Sequence, residues 1–345
     1  MRIYIKYILL IGSIILHAGC HKWQEPAMSS DSLPEIFPDY SGVTVPANIA
    51  PLNFMVEDAE AVQAVFSVKG AEIAAIVGRE GVVSVPFKKW AQILSFGKGE
   101  AVSVEVSVWN SEFPDGVRFR PFQINIAEDE IDPWIAYRLI EPGYMGWRQL
   151  GIYQREMSSF EESAIVTNRE TNTTCLNCHN FPSYSSESMM FHARGANGGT
   201  VLYDDGKLTK IDFKSIGPKK NTTYPAWHPE GRFIAFSSNT THQIFLAEGN
   251  KPIEVFDSAS DLVIYDIQTG EVLTDPRFIT DYFMESFPAW SPDGRYLYFV
   301  SAEDVNLDLK FSPTAHYHLL RVPFDPETRT LGTQVDTLYN ADSQG

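Results

Sequence analysis

A chain of 345 residues, 44% of them apolar, is long enough to build two or three cores rather than one small domain. Its formal net charge of -17 argues against nucleic acid and anionic headgroups as partners and would favour a basic one, although solubility alone also accounts for such a balance. The three cysteines, Cys20, Cys175 and Cys178, exclude a disulfide framework.

The N-terminus reads as an export signal. Arg2 and Lys6 precede an apolar run from Ile8 to Leu16, and His17, Ala18, Gly19 and Cys20 follow. The run is far shorter than the roughly 20 residues a helix needs to span a bilayer. Ala18-Gly19-Cys20 resembles the lipobox of bacterial lipoproteins, in which the cysteine becomes the lipidated N-terminus. His17 departs from that pattern, which usually has Leu, Val or Ile there. The resemblance implies a lipoprotein signal peptide over residues 1–19. It also implies membrane attachment through lipid on Cys20, in the periplasm or at the outer membrane. Residues 20–46 hold Pro26, Ser29, Ser30, Ser32, Pro34, Pro38 and Pro46, and read as a flexible tether.

Residues 47–127 read as all-β. Leu52 to Val56, Val62 to Val68, Ala71 to Val77, Gly81 to Val85 and Ala101 to Trp109 are short runs rich in Val, Ile and Phe. The run from Val102 to Val108 alternates apolar with polar residues, which buries one face and wets the other. Phe87 to Phe96 reads as a turn or two of helix. The expectation is a small immunoglobulin-like β-sandwich that carries no chemistry of its own.

Residues 128–186 form a connector with aromatic clusters at Trp134, Tyr137, Tyr144 and Trp147. These rings suit either the wrapping of a hydrophobic cofactor or the stapling of two domains. At its end stands Cys175-Leu176-Asn177-Cys178-His179, the spacing by which c-type haem is attached. On a helical turn, positions three apart share a face, so two thiols reach two vinyl groups on one porphyrin edge. The adjacent histidine then supplies the proximal iron ligand. Haem c is assembled outside the cytoplasm, so export signal and motif reinforce each other. A thioredoxin-like dithiol would need a preceding strand, and Asn168 to Thr174 is polar and turn-like. Zinc would need four ligands, and no second cysteine pair exists.

Met190, His192 and Arg194 share one face if residues 189–194 form a strand. His192 or Met190 is then a candidate distal iron ligand, and Arg194 a partner for a haem propionate.

From 187 to 345 the chain repeats. Tyr224-Pro225-Ala226-Trp227-His228-Pro229-Glu230-Gly231-Arg232 is echoed by Phe287-Pro288-Ala289-Trp290-Ser291-Pro292-Asp293-Gly294-Arg295, each followed by an aromatic-aliphatic strand. Leu262 to Glu271, between them, reads as a strand running into a Thr-Gly turn. These segments resemble the Pro-Asp-Gly repeats of TolB-like β-propellers, with Glu230 in place of the aspartate in the first copy. Residues 187–345 supply about three blades, whereas closed propellers have four or more, which predicts an incomplete ring.

The order of leader, β-domain, Cys-x-x-Cys-His and Pro-Asp-Gly repeats resembles haem-binding lipoproteins of Bacteroidetes-type bacteria. The fold expected is therefore mainly β: a sandwich, a haem segment and a partial propeller. Two functions stay open. One is electron transfer or redox sensing by a single covalent haem c, with an unidentified protein redox partner. The other is a binding or scaffold lipoprotein whose propeller docks a partner. No catalytic constellation stands out, and His228, His316 and His318 read as surface or loop residues.

Overall fold

The computed structural model describes residues 25–140, 150–195, 198–216, 222–246, 253–303 and 316–344. The leader and Cys20 lie outside the described residues, as do Tyr144 and Trp147. The chain is mainly β. It divides into two compact units, the described residues of 1–135 with 155–161 and those of 136–154 with 162–345.

In the first unit the strands are β1 (Met28–Ser29), β2 (Ile36–Phe37), β3 (Thr44–Val45), β4 (Phe54–Val56), β5 (Ala61–Val68), β6 (Ala71–Arg79) and β7 (Val82–Val83). Helix α1 (Phe87–Gly97) follows, then β8 (Ala101–Trp109), β9 (Val117–Arg118) and β10 (Phe122–Ile126). A sheet of three strands runs β2-β4-β7, and one of seven is centred on β8. β8 pairs antiparallel with β5, β9 and β10. The alternation read from the sequence is realised: Val62, Ala64 and Phe66 of β5 and Val102, Val104 and Val106 of β8 are buried in one core. Helix α1 buries Trp90, Ile93, Leu94 and Gly97, the spacing of one helical face. The Trp90 indole N–H donates to the Ile49 carbonyl at 2.8 Å.

The tether expectation needs correction over its described part. β1 pairs parallel with β9, β3 parallel with β10, and β2 antiparallel with β4. Ile36, Tyr40 and Val43 pack against the core. These apolar side chains, spaced among the serines and prolines, gain enough burial to hold the segment down.

The second unit opens with most of a three-stranded sheet of β11 (Trp134–Ile140), β12 (Leu150–Glu156) and β13 (Glu162–Thr167). Three further sheets follow in chain order. The first comprises β14 (Leu176–Asn180), β15 (Met189–Ala193), β16 (Gly199–Asp204) and β17 (Lys207–Ile211). After the short helix α2 (Phe213–Ile216), the second comprises β18 (Thr223–Trp227), β19 (Phe233–Phe245), β20 (Ile253–Asp266) and β21 (Glu271–Leu273). The third comprises β22 (Phe283–Trp290), β23 (Tyr296–Glu303), β24 (Tyr317–Asp325) and β25 (Thr330–Leu331), with β26 (Asp336–Tyr339) also beside β24.

Each is an antiparallel meander packed on the next, as successive propeller blades are. Met190, Leu202, Trp227, Ile234 and Val263 form the core between the first and second sheets. Phe233, Leu262, Leu297, Phe299 and Val322 form the core between the second and third. The series begins at Leu176, not at 187, because its first copy lacks the Pro-x-Gly turn that marks the other two.

Candidate functional site

The first strand of each sheet carries a bulge at the same place. In the first sheet Asn177 faces His192 and Asn180 faces Met190, so Cys178 and His179 together oppose Phe191. In the second, Thr223 faces Ser237 and Ala226 faces Ala235, which sets Tyr224 and Pro225 against Phe236. In the third, Ser286 faces Val300 and Ala289 faces Tyr298, which sets Phe287 and Pro288 against Phe299. The first bulge residue is left-handed in all three, with φ of 55° at Cys178, 49° at Tyr224 and 55° at Phe287. Such a backbone costs a non-glycine residue on the order of 1–3 kcal/mol and persists only where its surroundings impose it.

The Cys-x-x-Cys-His segment is therefore a propeller strand, and the helical turn expected for it does not form. Residues 176–180 are drawn into pairing with β15, and the left-handed Cys178 is incompatible with helix. Cys178 corresponds to Tyr224 and Phe287, His179 to Pro225 and Pro288, and Phe181 to Trp227 and Trp290. The two tryptophans occupy matching registers, opposite Ile234 and Leu297.

Both thiols of the motif are free and half-buried. Cys175 packs against the small core of Leu150, Ile152, Leu176 and Phe191. Burial pushes the Cys178 thiol up, while a hydrogen bond from the Tyr224 backbone and the charges of Arg194 and Arg138 oppose that rise. The Nε2 of His179 lies 3.4 Å from the Ala136 carbonyl oxygen, and its ring meets Phe181 edge-on at 6.3 Å. Two unbridged thiols and a histidine beside them are the donor set that a covalent porphyrin asks of a chain. Among the described residues no three His, Cys, Asp or Glu side chains converge as a bare metal site does. A porphyrin brings four nitrogens of its own, so it needs no such convergence.

β15 separates the remaining candidates. Met190 is 1% exposed, within the apolar core that holds Leu202 and Trp227. His192, also buried, lines a cleft of about 290 Å³ together with Arg194, Gly198, Gly199, Thr223 and Thr241. Its Nδ1 is 3.3 Å from the Thr200 hydroxyl, which lies 3.1 Å from that of Thr222. The structure thus brings His192 and Arg194 to one cleft and leaves Met190 out of it.

His228 is not a surface residue. It is 1% exposed, and its ring meets Trp290 edge-on at 4.9 Å. Its Nε2–H donates to the Gly294 carbonyl at 3.0 Å and its Nδ1 accepts from the Glu230 N–H at 3.2 Å. The Pro-x-Gly turn of one sheet is thereby keyed into that of the next, an apolar-side contact that a lone histidine in a turn does not signal. His316 is exposed and paired with Asp342; His318 lies 3.4 Å from the same carboxylate. Tyr224, Phe287 and Thr223 are the site residues that sequence reasoning missed. Aligning Cys-His-Asn-Phe with Tyr-Pro-Ala-Trp and Phe-Pro-Ala-Trp would have found Tyr224 and Phe287, whereas nothing in the sequence marks Thr223.

No protein-family model matches the chain, and no curated protein sequence does. Among solved structures it is similar to the β-propeller domain of the Trilobed protease from Pyrococcus furiosus, at 10% identity and a TM-score of 0.35, over 61% of this chain and 55% of that one. It is similar to an oligogalacturonate lyase from Vibrio parahaemolyticus, at 11% identity and a TM-score of 0.33, over 92% and 84%. A DUF4784 family protein from Bacteroides caccae gives 9% identity and a TM-score of 0.28 over 88% and 84%. The chain spans about half the length of the Pyrococcus domain it matches. At these TM-scores the blade assignment rests on the strand pairings and shared cores alone.

Proposed function

We propose that the chain is an exported, lipid-anchored c-type haem protein with a TolB-like propeller, which transfers electrons or senses redox state at the membrane surface. The observation that carries the reading is the pair of unbridged thiols, Cys175 and Cys178, with His179 beside them, next to Arg194 and the cleft that Arg194 shares with His192. Haem bound there would supply a one-electron iron couple. Cys175 and Cys178 would hold it by thioethers, and His179 would ligate its iron. Of the two further candidates His192 suits iron ligation better, because Met190 is enclosed by apolar neighbours. The Arg194 guanidinium suits a propionate. The partner is a redox protein rather than nucleic acid.

The test is expression of the full chain with haem c maturation machinery. Protein denatured on a gel should keep a haem stain, and the reduced protein should show a low-spin spectrum that His192→Ala converts to high spin. In the same cultures Cys20→Ser should move the protein from the membrane to the soluble fraction. Loss of all haem on denaturation overturns the covalent reading and leaves a binding lipoprotein. Wild-type protein that is already high spin overturns His192 as ligand.

A further inference from the structure

Tyr224 and Phe287 sit at the same bulge position of neighbouring sheets, and their rings stack with centroids 4.3 Å apart and planes inclined by 37°. They remain 37% and 53% exposed, although Thr223 and Ser286 immediately before them are buried. A left-handed backbone at both positions is what turns these large rings outward. Strain and apolar exposure together at two stacked, equivalent sites mark the pair as a candidate contact surface.

The third member of the series is Cys178. β14, which carries Cys178, packs against β18, which carries Tyr224, so thiol and aromatic pair lie on neighbouring strands. Arg194 and Arg138 are close enough for their charge to act on that thiol. The bulge that presents a ring in the second and third sheets presents, in the first, an attachment point for one.

We propose that Tyr224 and Phe287 form an aromatic platform for the porphyrin attached at Cys178, which extends their stack into the first sheet. The proposal rests on the haem reading above. Tyr224 and Phe287 act as positioning residues: offset rings attract one another beyond their buried area, and a covered porphyrin face is shielded from water.

The test compares full-length holoprotein with Tyr224→Leu, Phe287→Leu and the double variant. Tyr224→Phe is the conservative control, and Tyr282→Leu, at an exposed ring outside the bulge, is the neutral one. Haem stain on a denaturing gel reads attachment. Circular dichroism in the Soret band reads the coupling of the porphyrin to nearby rings. The double variant should keep its stain and lose most of the Soret signal, each single variant should lose part, and Tyr224→Phe should retain it. Far-ultraviolet spectra identify any variant that fails to fold, in which case the single variant Phe287→Leu decides, with Tyr224→Phe as its control. A stained double variant with an unchanged Soret signal overturns the platform and leaves the haem reading standing. Unstained wild-type protein overturns both.

Discussion

In the second and third sheets the bulge carries Tyr224-Pro225 and Phe287-Pro288; in the first it carries Cys178-His179. The backbone is the same at all three, down to the left-handed first residue and the buried phenylalanine opposite. Proline at the second position suits a bulge, which leaves one residue out of the hydrogen-bond ladder. The first sheet gives up that fit for a histidine. It also gives up the Pro-x-Gly turn: its chain reverses through Ser183 and Tyr184, both left-handed without being glycine. The difference teaches that the copy carrying Cys178 and His179, where we propose the haem site, is also the copy where the repeat's own rules are most relaxed.

The strongest way to break that comparison is to make the first bulge into the second. Cys178→Tyr combined with His179→Pro should abolish covalent haem completely on a stained gel. The unliganded protein should still unfold within about 1 kcal/mol of the parent in denaturant, because both replacements have precedent at the matching positions. A double variant that does not fold would show that the first bulge differs from the others in backbone as well as in side chains.

Much of this was legible in the sequence, and the gaps have physical causes. Alternation in β8 and the Val-, Ala- and Phe-rich run of β5 marked the core face of the first unit, and the Pro-x-Gly echo marked the second and third sheets, because turns and period-2 burial leave strong local marks. The first sheet was hidden because its bulge carries Cys178-His179 and its turn Ser183-Tyr184, where the other two sheets carry an aromatic-proline pair and a Pro-x-Gly turn. The burial of His228 was hidden because it depends on Gly294, a contact between sheets rather than along the chain. The pairing of residues 28–45 was missed because two-residue strands carry no periodicity.

The two Pro-x-Gly turns can themselves be set apart. Gly231 and Gly294 are both left-handed, with φ of 75° and 71°. A methyl group on Gly231 would meet nothing within 4 Å, whereas one on Gly294 would fall 2.3 Å from the buried Nε2 of His228. Gly231→Ala should therefore cost only the backbone term, about 1–2 kcal/mol. Gly294→Ala should cost a further ~1–3 kcal/mol of overpacking, read from denaturation midpoints. Equal losses would mean that His228 yields freely and that the keyed contact contributes no rigidity.

The same turns should titrate in different windows. Burial holds His228 below its ordinary value of 6.5, against the opposing effects of the Gly294 carbonyl and Glu230. The unfolded chain then binds the proton more readily, so this stabilisation is complete above about pH 6.5 and is lost as pH falls below it. Asp293, in the next turn, is held down to about 2 from 3.8, first by the Ser291 hydroxyl and then by Arg295. Its stabilisation is complete above 3.8 and is lost as pH falls towards 2. Thermal midpoints measured against pH should lose their slope just below 6.5 in His228→Gln and their slope below 3.8 in Asp293→Asn. The second change should be the smaller, and salt should shrink it further, because Asp293 and Arg295 face water while His228 does not. If both slopes respond equally to salt, His228 is reached by solvent in the folded protein, and the second turn is no more closed than the third.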